Sequence, residues 1–151
     1  MRIAQRLLIV AGIIEILIGI MHFTWPFEMI RYSIFAELPD YALDLILLSS
    51  LAIGLCLTVF GFLSIYFGYH VKKMVKATMI ISLSQAFLWI IRLILEIILP
   101  VQLRIFFIES PTLIIRIGIM VLIGLFLISA INLRKIITNA TQQMVKLHAG
   151  R

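Results

Sequence analysis

The sequence predicts an all-α integral membrane bundle of four transmembrane helices, packed up-down and antiparallel with both termini on the cytoplasmic side. Three observations predict it. First, 63% of the 151 residues are hydrophobic and only 13% charged, whereas a soluble globular domain has about a quarter charged residues and under half apolar ones. Second, the apolar residues form four runs, each long enough for ~30 Å of hydrocarbon. Third, these runs are continuously apolar rather than alternating, so they fit helices and not the strands of a membrane barrel. The whole chain, 1–151, is expected to be one transmembrane domain, with no length left for a separate soluble one.

The first span is expected over 7–27. The start, Met1 to Arg6, followed by an apolar stretch, has the outline of a secretory signal. Glu15 interrupts that stretch, however, and no small-residue cleavage site follows, so it reads as a retained helix. The second span is expected over 41–69, the third over 77–99 and the fourth over 113–133. Residues 134–151 are too polar to insert and read as a cytoplasmic helical extension. Between the first two spans, the segment from Pro26 to Asp40 mixes Phe27, Ile30, Ile34, Phe35 and Leu38 with charges, as a short amphipathic helix lying at the interface would.

Cations set the orientation. Arg2 and Arg6 precede the first span, Lys72, Lys73 and Lys76 join the second to the third, and Arg134, Lys135, Lys146 and Arg151 follow the fourth. The opposite loops balance Arg31 and Arg104 against Glu28, Glu37, Asp40 and Glu109. The positive-inside rule then predicts a multi-pass protein of the cell membrane with both termini cytoplasmic. Because the basic residues sit at the ends of apolar runs, topology accounts for the net charge of +6 and nucleic acid is not an expected partner. Short connections favour antiparallel neighbours. Asn139, Ala140 and Thr141 match a glycosylation acceptor, which the cytoplasmic placement makes a chance match.

Within the second span, Ser50, Gly54, Gly61, Ser64 and Gly68 fall on one narrow face, which suits close approach of another helix backbone. In the third, Thr78, Ser82, Gln85, Trp89, Arg92 and Glu96 follow at alternating steps of four and three, so one face is polar from end to end. An ionised side chain at the bilayer centre costs ~2.5–3.5 kcal/mol even on the lenient insertion scale, so that stripe faces other helices or a water-filled cavity. The first span offers a complementary stripe of Ala11, Glu15, Gly19 and His22, and the fourth adds Arg116 near its outer end. At ~1.5 Å of rise per residue, Arg92 lies ~6 Å outward of its span's middle, Glu96 ~12 Å, His22 ~7 Å and Arg116 ~10 Å, with Glu15 slightly inward.

These positions predict a single hydrogen-bonded site of Glu15, His22, Arg92, Glu96 and Arg116, open to the outer side and flanked by Gln85 and Trp89. Glu15 argues for it most strongly, because a carboxyl at that depth has no route to water by snorkelling and needs either a partner or protonation. The plainer alternative pairs Arg92 with Glu96 within one helix and sends Arg116 to the headgroups, with no ligand. His22, beside Phe23, Trp25 and Pro26, also fits an aromatic interface belt.

Other chemistries find little purchase. Cys56 is the single cysteine, so there is no CxxC pair, disulfide framework or cysteine-based metal site, and packing is its simplest role. His22 and His70 lie at opposite ends of their spans, which disfavours a bis-histidine haem, and metal-ligand spacing is absent. No nucleophile constellation or phosphate loop marks an enzyme, and no cofactor is named by the residues.

The stretch Gly19, Ile20, Met21, His22, Phe23, with Pro26 and then Leu38 and Pro39, is similar to the first helix and loop of DoxX-like membrane proteins, and the similarity covers about the first third of the chain. The resemblance implies a small four-helix bundle; some members look like membrane subunits of quinone-linked oxidoreductases. Arg92, Glu96 and Arg116 match nothing in that pattern.

Two functions follow as expectations. In one, the chain binds or moves a small polar or amphiphilic ligand such as a quinone headgroup, an anion or a proton. In the other, it is an accessory subunit whose small-residue and polar helix faces dock a partner membrane protein or a second copy of itself.

Overall fold

A computed structural model describes residues 1–29, 38–100 and 111–149. Every regular element among them is an α-helix: α1 (Arg2–Met29), α2 (Asp40–Tyr69), α3 (Val75–Ile98) and α4 (Thr112–Ala149). All four are long and apolar enough to cross a membrane. Large apolar side chains cover the outer faces, among them Leu45, Phe62, Phe87 and Leu113, each more than 60% exposed. Hydrocarbon, not water, is the solvent such a surface fits.

The helices run past the expected spans. α1 starts at Arg2 and α4 continues to Ala149, so residues 134–149 prolong the fourth helix. α1 passes through Pro26 to Met29, over the start of the stretch from Pro26 to Asp40 where an interfacial helix is expected; residues 30–37 of that stretch lie outside the described ones.

Pro26 survives inside α1 for a specific reason. Proline has no N–H, so the carbonyl four residues back, on His22, loses its helical donor. Ser50 of α2 supplies one instead, its Oγ donating to the His22 carbonyl at 2.9 Å. In a membrane a neighbouring hydroxyl is one of the ways a proline-freed carbonyl is satisfied.

Glycines hold α1 against α2. A Cβ on Gly12 would meet the Gly61 carbonyl oxygen at 2.5 Å, and one on Gly61 would meet that of Gly12 at 2.6 Å. Gly19 and Gly54 pair in the same way, with a Cβ on Gly19 2.8 Å from the Gly54 carbonyl oxygen. Backbone touches backbone at both places. The small-residue face of α2, with Gly54, Gly61, Ser64 and Gly68 buried, is thus filled by the chain's own α1 and is not a surface left for a partner or a second copy.

α4 lies between α1 and α3. Leu8 and Ala11 of α1, Ala86 and Trp89 of α3, and Ile119, Leu122 and Phe126 of α4 form one buried cluster. A second cluster joins Ala4, Val71 and Leu133 near the start of α1 and the turn between α2 and α3. By contrast, α2 lies chiefly on α1 and meets α3 along much less of its length. The polar stripe of α3 faces inward, with Thr78, Ser82, Gln85, Trp89 and Glu96 buried. Thr78 and Ser82 donate to the carbonyls of Met74 and Thr78 at 2.7 and 2.8 Å, which satisfies hydroxyls that have no water.

Candidate functional site

Glu15 is wholly buried, and three helices meet at its carboxyl. Trp89 of α3 donates its indole N–H to Oε1 at 2.8 Å, and Ser64 of α2 donates its hydroxyl to Oε2 at 3.2 Å. Ser64 reaches it because Gly61, three residues earlier on the same helix, lets α2 close on Gly12. The two partners differ chemically. The indole only donates, whereas a hydroxyl donates or accepts, so the site is satisfied by a carboxylate taking two hydrogen bonds or by a carboxylic acid giving one to Ser64.

Further along α3, Arg92 and Glu96 form an i, i+4 ion pair at 2.9 Å, with the Glu96 side chain fully buried and that of Arg92 41% exposed. Arg116 of α4 donates from Nη2 to the Glu96 backbone carbonyl at 3.2 Å. That carbonyl belongs to the last turn of α3, where the helix itself provides no donor and a cation is favoured. The Nε of Arg116 is buried without a hydrogen-bond partner among the described residues.

A cavity of about 610 Å³ opens among the four helices. α1 contributes His22 and Trp25, and α3 contributes Gln85, Trp89 and Arg92; the walls from α2 and α4 are apolar apart from the Cys56 thiol. His22 Nδ1 lies 2.9 Å from the Ile18 carbonyl. A carbonyl only accepts, so Nδ1 carries the hydrogen and Nε2 is the nitrogen left for other contacts. Gln85 is 4% exposed, yet its amide forms no hydrogen bond to any described residue while it lines the cavity. Buried amides are normally paired, and that of Gln85 keeps both its donors and its acceptor for what enters the cavity.

The seven site residues read from the sequence therefore separate into groups. His22, Gln85, Trp89 and Arg92 share the cavity, whereas Glu15, Glu96 and Arg116 do not line it. Among the described residues Glu15 bonds Trp89 and Ser64, Arg92 pairs with Glu96, and His22 bonds its own helix, so these contacts do not join Glu15, His22, Arg92, Glu96 and Arg116 into a single network. Two polar centres result, and Trp89 links the Glu15 centre to the cavity, with its N–H turned to the carboxyl and its ring at the wall. The within-helix pair of the plainer reading is present, but Arg116 binds the end of α3.

Sequence reasoning missed Ser64, which it placed among packing residues although its position one turn past Gly61 on the close-contact face was the available signal. Cys56 was likewise read as packing, and it lines the cavity. Comparison with protein-family models, with curated proteins and with solved structures finds no match to this chain.

Proposed function

We propose that this protein is a multi-pass protein of the cell membrane that holds or moves a small amphiphilic ligand in the cavity lined by His22, Gln85, Trp89 and Arg92. The observation that carries this reading is Gln85, a buried amide without a hydrogen-bond partner among the described residues, at the wall of a large and mainly apolar space. Ligand sites are concave, mostly apolar, roughly 300–1,000 Å³, and carry a few polar groups that orient the ligand. Because α2 and α3 meet only along a short stretch, the line between them is the natural route from the bilayer.

In this proposal the helices alternate in direction and both termini are cytoplasmic. The pairing of Gly12 with Gly61 and of Gly19 with Gly54 supports opposite directions for α1 and α2. Arg2, Arg6, Lys72, Lys73, Arg134 and Lys135 flank the cluster of Ala4, Val71 and Leu133, which supports a cytoplasmic position for that end. Kinship with the DoxX-like bundles belongs to the same proposal.

The chain has two tryptophans, Trp25 and Trp89, and both line the cavity. A dibrominated fatty acid quenches indole on contact, so titrating it into the protein in nanodiscs reads occupancy directly. Gly118 lines the cavity and has nothing within 4 Å of where its Cβ would stand, so Gly118→Phe adds bulk there without a backbone clash. Saturable quenching that is lost in Gly118→Phe is the expected result. Quenching that rises linearly with the probe, unchanged in the variant, would end the proposal.

A further inference from the structure

Three of the polar side chains of the cavity wall are spaced along one helix, and their spacing describes a ligand. Gln85, Trp89 and Arg92 stand at i, i+4 and i+7 of α3 and all three line the cavity. On an α-helix that interval puts Arg92 and Gln85 on one face, ~10 Å apart along the axis. Between them lies the ring of Trp89, whose only polar atom is already used on Glu15. The lining from α2 and α4, including Ile53, Leu57, Phe60, Ile115 and Ile119, is hydrocarbon apart from the Cys56 thiol. A ligand lying along α3 thus meets two polar stations separated by an apolar stretch.

The stations differ in charge. At one end, Arg92 pairs with the Glu96 carboxylate, and Arg116 donates to the backbone carbonyl of the same residue. Arg92 uses one nitrogen on Glu96 and is 41% exposed, so most of its five N–H donors remain. No acidic side chain lines the cavity among the described residues. An oxyanion there gains charge-assisted hydrogen bonds, which are about twice as strong as neutral ones. At the other end, Gln85 is uncharged and both donates and accepts; its match is a hydroxyl or carbonyl.

We infer that the ligand is a bipolar lipid, with an oxyanion head at Arg92 and a neutral hydroxyl or carbonyl about 10 Å along its apolar body at Gln85. A simple fatty acid satisfies only the first station, and a neutral alcohol or hydrocarbon only the second or neither. The head is a carboxylate, phosphate or sulfate, since all three present the same oxygens to a guanidinium. This inference rests on the cavity being a ligand site, and its test separates the two.

The test displaces the dibrominated probe from protein in phosphatidylcholine nanodiscs with octadecanoate, 10-hydroxyoctadecanoate and the methyl ester of 10-hydroxyoctadecanoate. The mid-chain hydroxyl stands about 10 Å from the head, so it matches the spacing of two turns of helix. The hydroxy acid is expected to displace the probe roughly three- to tenfold better than octadecanoate, the worth of one buried hydrogen bond. That advantage disappears in Gln85→Leu, which orphans no described residue because Gln85 has no hydrogen-bond partner among them. Esterification weakens displacement by roughly tenfold or more, as loss of a hydrogen bond to a charged group does. The ester penalty disappears in the double variant Arg92→Gln/Glu96→Gln, which removes both charges together and so leaves no buried carboxylate facing a lost cation.

Equal displacement by the hydroxylated and plain acids, or by acid and ester, overturns the bipolar ligand while saturable quenching keeps the cavity as a site. A hydroxyl advantage that survives Gln85→Leu overturns the role of Gln85. Absence of saturable quenching by the probe overturns the site itself, and this inference with it.

Discussion

Ser50 and Pro26 act on the same atom from different helices: the His22 carbonyl, which Pro26 cannot reach with a donor, takes the Ser50 hydroxyl at 2.9 Å. The first prediction follows from that shared dependence. Ser50→Ala removes the donor and leaves a carbonyl unsatisfied beside hydrocarbon, a loss of about 1–3 kcal/mol. In a Pro26→Ala background the residue 26 amide returns to the carbonyl, so the same Ser50→Ala substitution is expected to cost about 1 kcal/mol less. Unfolding free energies of the four proteins in mixed micelles supply the cycle. A Ser50→Ala effect of equal size in both backgrounds would show that the hydroxyl does not stand in for the missing amide.

The glycines give the second prediction, in which one kind of substitution has two outcomes. At Gly12 an added Cβ meets the Gly61 carbonyl oxygen at 2.5 Å, and a backbone atom cannot rotate away. Gly12→Ala therefore forces α1 and α2 apart and is expected to destabilise by roughly 1–3 kcal/mol. At Gly124 nothing lies within 4 Å of the same added atom. Gly124→Ala is expected to be neutral or to stabilise by up to about 1 kcal/mol through helix propensity. Thermal unfolding of both variants in the same detergent decides it: similar midpoints for the two would remove the backbone contact as a determinant of the fold.

Much of this arrangement was legible in the residues, for a physical reason. Hydrocarbon leaves no alternative to burying Gln85, Glu96 and Glu15, so periodicity alone turns the α3 stripe inward, and small residues spaced along α2 announce a close helix contact. Periodicity specifies a face of each helix and leaves open which helix it meets. The partner of Glu15 was therefore out of reach: Ser64 becomes a donor only once Gly12 and Gly61 bring two backbones together. The same gap merged two polar centres into one. Arg92 and Glu15 are both deep and both inward, yet Arg92 finds Glu96 within its own helix. The continuation of α1 through Pro26 was hidden for a similar reason, since the rescuing hydroxyl lies 24 positions later in the chain.

The third prediction concerns Glu15, whose two oxygens answer different donors. Glu15→Gln keeps both contacts, because the new carbonyl accepts from the Trp89 indole and the new amide donates to the Ser64 hydroxyl, an oxygen that also accepts. It is expected to fold with a stability within about 1 kcal/mol of the parent. Glu15→Leu fills similar space but leaves the Trp89 N–H and the Ser64 hydroxyl without their acceptor, at a loss of roughly 2–6 kcal/mol if each unsatisfied group costs ~1–3. Adding Trp89→Phe to Glu15→Leu removes one of those orphans and is expected to restore part of the loss, which an independent effect of the two substitutions would not do. The measurement is the unfolding midpoint of the parent and the three variants, with the indole emission of Glu15→Leu as a second reading of whether Trp89 has lost its partner. If Glu15→Leu is as stable as Glu15→Gln, the carboxyl contributes nothing that leucine does not, and the three-helix junction at Glu15 is a packing contact alone.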